Sequence, residues 1–130
     1  MVLTLDWSHE ITLAADPRSV ALARDFICLH LLAHRLASLV EDMRLVVSEL
    51  ATNAVAHAAT PFVVTLSSRN GMTLLEVQDG SPSAVVSHTP DVMDESGRGV
   101  MIVDLLSQEC GTSIDDRGFK SVWASFAGQV

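Results

Sequence analysis

Two apolar runs, Phe62-Val63-Val64-Thr65-Leu66 and Met72-Thr73-Leu74-Leu75-Glu76-Val77, flank an Asn70-Gly71 pair. No other feature of the chain constrains its fold as much. The type I′ two-residue hairpin turn requires positive φ at both central positions, and Asn-Gly meets that requirement best. The two runs are therefore expected as antiparallel neighbours. A second hairpin is expected near the C-terminal end, with Asp115-Asp116-Arg117-Gly118 turning between strands near 109–115 and 119–126. Residues 9–14, with Ile11 and Leu13 on one face, read as another short strand.

Between these strands the period changes to that of a helix. Asp16-Pro17 offers a capping carboxylate followed by proline at the first helical position. A helix over about 17–33 then carries Val20, Ala21, Arg24, Phe26, Ile27 and Leu31 at mostly helical spacing. Ser38 and Glu41 form a capping-box pattern for a second helix from Ser38 to His57, and Pro61 closes it. Residues 80–96 are polar, contain Pro82 and Pro90, and end in Gly97-Arg98-Gly99. Loops of this length inside a domain are uncommon and usually functional or disordered. A further helix is expected from Val100 to about Ser107. The element order predicts an α+β two-layer sandwich, its mixed and mostly antiparallel sheet covered on one face by helices.

The length of 130 residues suits one domain over 1–130. With 48% hydrophobic residues and a mean hydropathy of +0.34, the chain has core material and is not expected to be disordered. Sixteen acidic against 8 basic residues give a net charge of −8. Nucleic-acid binding draws on Lys and Arg to displace counterions, so neither nucleic acid nor an anionic membrane is an expected partner. Cys28 and Cys110 have apolar neighbours and no zinc-finger spacing, which predicts buried reduced thiols. The first residues, Met1 to Asp6, lack a basic and then apolar leader pattern. The apolar stretch Phe26–Val40 is broken by His30, His34 and Arg35 and is too short to span a bilayer. A soluble cytoplasmic protein is expected.

Three segments carry candidate chemistry. Glu49, Asn53 and His57 fall at i, i+4 and i+8 and share one stripe of the second helix, opposite Val46, Leu50, Ala54 and Val55. A solvated polar stripe would look the same. Yet a carboxylate beside a neutral amide oxygen also suits a base and a Mg²⁺ ligand, because Mg²⁺ takes oxygen ligands and keeps waters. Asp79-Gly80-Ser81-Pro82 ends a strand. It is an ordinary turn signal, or a carboxylate placed to accept a hydrogen bond from an exocyclic amine. Gly97-Arg98-Gly99 precedes a helix start, where backbone N–H groups favour a phosphate; by itself a single Gly-x-Gly specifies little.

Taken together, their order and context resemble the nucleotide-binding signature of the GHKL (Bergerat-fold) ATPase superfamily, and most closely its single-domain anti-sigma-factor serine kinases. Glu49-x-x-x-Asn53-Ala54-x-x-His57 is similar to the N box. Asp79-Gly80-Ser81-Pro82 is similar to the first glycine box, and Gly97-Arg98-Gly99 with Val100-Met101-Ile102-Val103 to the second. Gly118-Phe119-Lys120-Ser121-Val122-Trp123-Ala124 resembles the family's final strand. The likeness covers roughly residues 9–126.

The resemblance implies that Glu49 polarises the attacking hydroxyl and that Asn53 holds Mg²⁺ against the ATP phosphates. It implies that Asp79 binds the adenine amine and that Gly97, Arg98 and Gly99 receive the phosphates. Residues 80–96 would act as an ATP lid, with His57 near the phosphates and Ser121 in the adenine shell. Ser81 stands where the family's first glycine is usual, and no second glycine follows. The implied activity is phosphorylation of a STAS-type anti-anti-sigma protein by a regulator that also binds a sigma factor and forms a homodimer. A non-catalytic ATP-binding or partner-binding module is the alternative.

Overall fold

The computed structural model describes residues 6–58, 60–80 and 102–127. Its order is β1 (Trp7–Leu13), α1 (Arg18–Ala33), α2 (Val40–Ala58), β2 (Phe62–Arg69), β3 (Met72–Asp79), β4 (Glu109–Ile114) and β5 (Lys120–Ala127). The five strands form one sheet in the order β1-β2-β3-β5-β4. Every described strand pair is antiparallel, so the expected mixed sheet is a purely antiparallel one among the described residues.

The central hairpin forms as its turn residues dictate. Asn70 and Gly71 have φ of 53° and 80°, positive at both positions, and β2 pairs with β3 from Arg69↔Met72 to Phe62↔Asp79. At the second hairpin the Asp115 carboxylate accepts the amides of Arg117 at 2.8 Å and Phe119 at 3.0 Å. Those bonds, the Phe119 amide first, pull the Asp115 carboxyl below its usual pKa.

The start of α1 follows the Asp-Pro signal. Pro17 is already helical (φ −54°, ψ −29°) and the Asp16 carboxylate accepts the Arg18 amide at 2.8 Å. The Arg18 guanidinium first, and then its backbone amide, lower the Asp16 carboxyl to about 2. The helix stops where Arg35 turns left-handed (φ 62°), with Leu36 N–H donating to the Leu31 carbonyl at 2.8 Å and Arg35 N–H to that of Leu32 at 3.1 Å. This is the six-to-one closure that ends many helices, sealed by the buried side chains of Leu31 and Leu36. The Ser38–Glu41 capping box does not open α2. A 3-10 turn over Ala37–Leu39 precedes the helix, and Leu36 at its start makes no side-chain cap.

Alternation fixes which side of the sheet is the core. Phe62, Val64 and Leu66 of β2, Leu75 and Val77 of β3, and Ala124 and Phe126 of β5 are buried together on one face. Ala23, Ile27 and Leu31 of α1 and Met43, Val46, Val47, Leu50, Ala51 and Ala54 of α2 cover that face. Full burial of one such aliphatic or aromatic side chain contributes about 1.5–3 kcal/mol. α1 lies against β1 and β2 and α2 against β3, which places α2 over the middle of the sheet. Residues 102–106 are helical, as expected for part of that stretch, and Val103 joins the core. Both cysteines are free but half-buried rather than enclosed. Among the described residues no helix is long and apolar enough to cross a membrane.

Candidate functional site

The site is set by how α2 leads into the hairpin. Residues 59–61 join the end of α2 to Phe62, and a chain reaches at most ~3.3–3.6 Å per residue. Phe62 is paired with Asp79. The C-terminal end of α2 and the last residue of β3 therefore lie at the same end of the sheet. A hydrogen bond fastens the two exits, with Gly80 N–H donating to Thr60 Oγ1 at 3.1 Å.

On α2 the apolar positions face the sheet, as expected, with Val46, Leu50 and Ala54 buried and Val55 partly so. Glu49 and Asn53 are half-buried at the margin of that apolar face, and His57 is exposed. Neither Glu49 nor Asn53 makes a side-chain hydrogen bond or ion pair among the described residues. A solvated face would carry such groups further out. Here a carboxylate and an amide oxygen sit at the core's edge with hydrogen-bonding capacity to spare, a donor set that suits Mg²⁺ and phosphate-bound water.

Asp79 is 5% exposed and belongs to the helix-covered face. The Lys120 ammonium lies 4.0 Å from its Oδ2, directly across the β3–β5 ladder. A buried carboxylate must be paired or hydrogen-bonded, so Asp79 is more than a turn residue. Ser121 is placed differently. It is opposite Gln78 and, by strand alternation, on the other side of the sheet from Asp79. The structure brings Lys120, not Ser121, to Asp79. The signal was present in the sequence, because Val122, Ala124 and Phe126 alternate as the core face of β5 and Lys120 continues their phase.

Ser81, Gly97, Arg98 and Gly99, and the expected lid over 80–96 apart from Gly80, lie outside the described residues. A shallow cavity of about 390 Å³ lined in part by Ser38, Asp42, Gln108 and Phe126 opens elsewhere. It lies by the Met72↔Ala127 end of the ladder, away from Asp79.

Residues 13–126 match the family model described as the histidine kinase-like ATPase domain. No curated protein matches the chain. The matched span includes both long helices, the half-buried Glu49 and Asn53, and the buried Asp79 at the end of β3. The chain therefore belongs to the histidine kinase-like ATPase domain family.

Proposed function

We propose that this protein is an ATP-dependent serine/threonine kinase that acts as an anti-sigma factor and phosphorylates a STAS-type anti-anti-sigma protein. The observation that carries the reading is the family match, together with half-buried Glu49 and Asn53 on the helix whose C-terminal end leads to the sheet end where Asp79 is buried. ATP, when bound, supplies the phosphoryl group. Asp79 accepts a hydrogen bond from the exocyclic amine of the base, and Asn53 offers its amide oxygen to Mg²⁺. Glu49 would orient the serine hydroxyl of the antagonist and take its proton as the oxygen bonds to the γ-phosphorus and the bond from that phosphorus to the leaving ADP breaks. Phosphoryl transfer needs mainly positioning and charge stabilisation, which is the work this residue set can do. The segment Gly97-Arg98-Gly99 is proposed as the phosphate-binding helix start, His57 as a neighbour of the phosphates, and the cytoplasm as the site of action. A homodimer that holds a sigma factor completes the proposal.

Incubation with Mg-ATP and a cognate STAS protein tests it. Phosphoserine on the antagonist that disappears with Glu49→Ala supports the kinase. A second reading, an ATP-binding module that transfers nothing, is favoured by the first glycine box, where Ser81 stands at the usual glycine position and no second glycine follows. ATP binding without transfer to any partner would establish that second reading.

A further inference from the structure

We propose that Lys120 is a second base-reading residue of the nucleotide site, its ammonium donating a hydrogen bond to a ring nitrogen beside the amine that Asp79 accepts. The inference rests on the assignment of Asp79 to the base. Lys120 and Asp79 face each other across the β3–β5 ladder on the helix-covered face, with side chains 20% and 6% exposed. Lys120 is half-buried, with most of its side chain covered and its ammonium turned to the carboxylate of Asp79. Its nitrogen stands 4.0 Å from Asp79 Oδ2 and makes no hydrogen bond among the described residues. Charge-assisted hydrogen bonds close to about 2.7–2.9 Å, so this pair is held by charge without a hydrogen bond between its members. At 4.0 Å the two groups attract each other yet leave the ammonium's donors available to a third party.

The chemistry of that third party is set by what the pair presents, a carboxylate acceptor next to a cationic donor. Adenine offers the complement, with its N6 amine as donor and a ring acceptor on either side of it, N1 or N7. Ser121 cannot take this role from the other side of the sheet. Lys120 thus supplies a direct and charged contact where a hydroxyl was expected.

The test compares ATP with 1-deaza-ATP and 7-deaza-ATP, each lacking one of the two ring acceptors, by calorimetric titration of the whole chain. Wild type is expected to bind one of the two analogues about tenfold or more weakly than ATP, the scale of a lost hydrogen bond to a charged group. Lys120→Met should bind ATP and that analogue within twofold of each other, and Lys120→Arg should keep part of the preference. Wild type binding both analogues as tightly as ATP overturns the inference, whether or not the methionine variant folds. So does a methionine variant with undiminished discrimination. In either case ATP binding that depends on Asp79 leaves the proposed function standing. Absence of ATP binding to wild type removes both.

Discussion

The Nε2 atoms of His9 and His34 lie 2.9 Å apart and tie β1 to the end of α1. A bond between two imidazole nitrogens needs one N–H and one lone pair, so at least one ring must be neutral at the facing atom. Trp7 stacks on His34 with centroids 3.8 Å apart, His9 stacks on His30 at 3.9 Å, and Phe26 meets His30 edge-on at 4.8 Å. Burial first, and then the neighbouring histidines, lower the pKa of His30 and His34 from 6.5.

These shifts give a signed pH dependence. Lowered folded values mean that the unfolded chain binds more protons at acid pH, so stability rises with pH across the window. Stability is expected to be complete above 6.5 and to be lost as pH falls from there through the lowered folded values of His30 and His34. Melting temperature recorded from pH 8 to 5.5 checks this. The wild type should melt progressively lower on the acid side, and His34→Phe, which keeps a ring against Trp7 but cannot ionise, should flatten the profile.

Gly111 tests the face of the sheet opposite the two long helices. An added Cβ there would come within 2.8 Å of Cζ2 of Trp123, its cross-strand partner. Gly111→Ala must displace the indole and should cost about 1–3 kcal/mol, the usual range for overpacking. Thermal melts, with Trp123 fluorescence followed in a Trp7→Phe background, read both effects.

Asn53 and Glu49 should separate under mutation. Asn53→Ala removes a metal-ligand oxygen and is expected to lower ATP affinity about tenfold or more in Mg²⁺, with little change when Mg²⁺ is chelated. Glu49→Gln is expected to bind Mg-ATP like wild type and to transfer no phosphate. Titrations with and without Mg²⁺, paired with a transfer assay, distinguish the two.

Local chemistry made much of the fold legible. Asn70-Gly71 announced its hairpin, Asp115 its turn, and Asp16-Pro17 its helix start, because each signal is satisfied within a few residues. The stripe of Glu49, Asn53 and His57 was likewise legible from helical spacing alone. The misreadings were non-local. Ser38 and Glu41 fit a capping box, but the left-handed closure at Arg35 delivers the chain into a 3-10 turn instead. β1 begins at Trp7, two residues earlier than its aliphatic pattern suggested, because Trp7 and His9 face α1, where Trp7 stacks on His34 and His9 on His30, more than 20 residues along the chain. The side of the sheet that Ser121 occupies was not legible in the linear motif either, because only the β3–β5 register shows it.

Calorimetric titration of ATP into wild type and Asp79→Asn, below the melting temperature of both, tests the base-binding role of Asp79 most directly. The amide can present a donor to the base amine and leaves the Lys120 ammonium without its counter-charge, so a lower melting temperature is expected as well. Wild type should bind ATP saturably, and the variant should lose ~1–3 kcal/mol of binding free energy, the scale of an unsatisfied buried hydrogen-bonding group. Equal affinity in the two proteins, or no ATP binding by wild type, would contradict it.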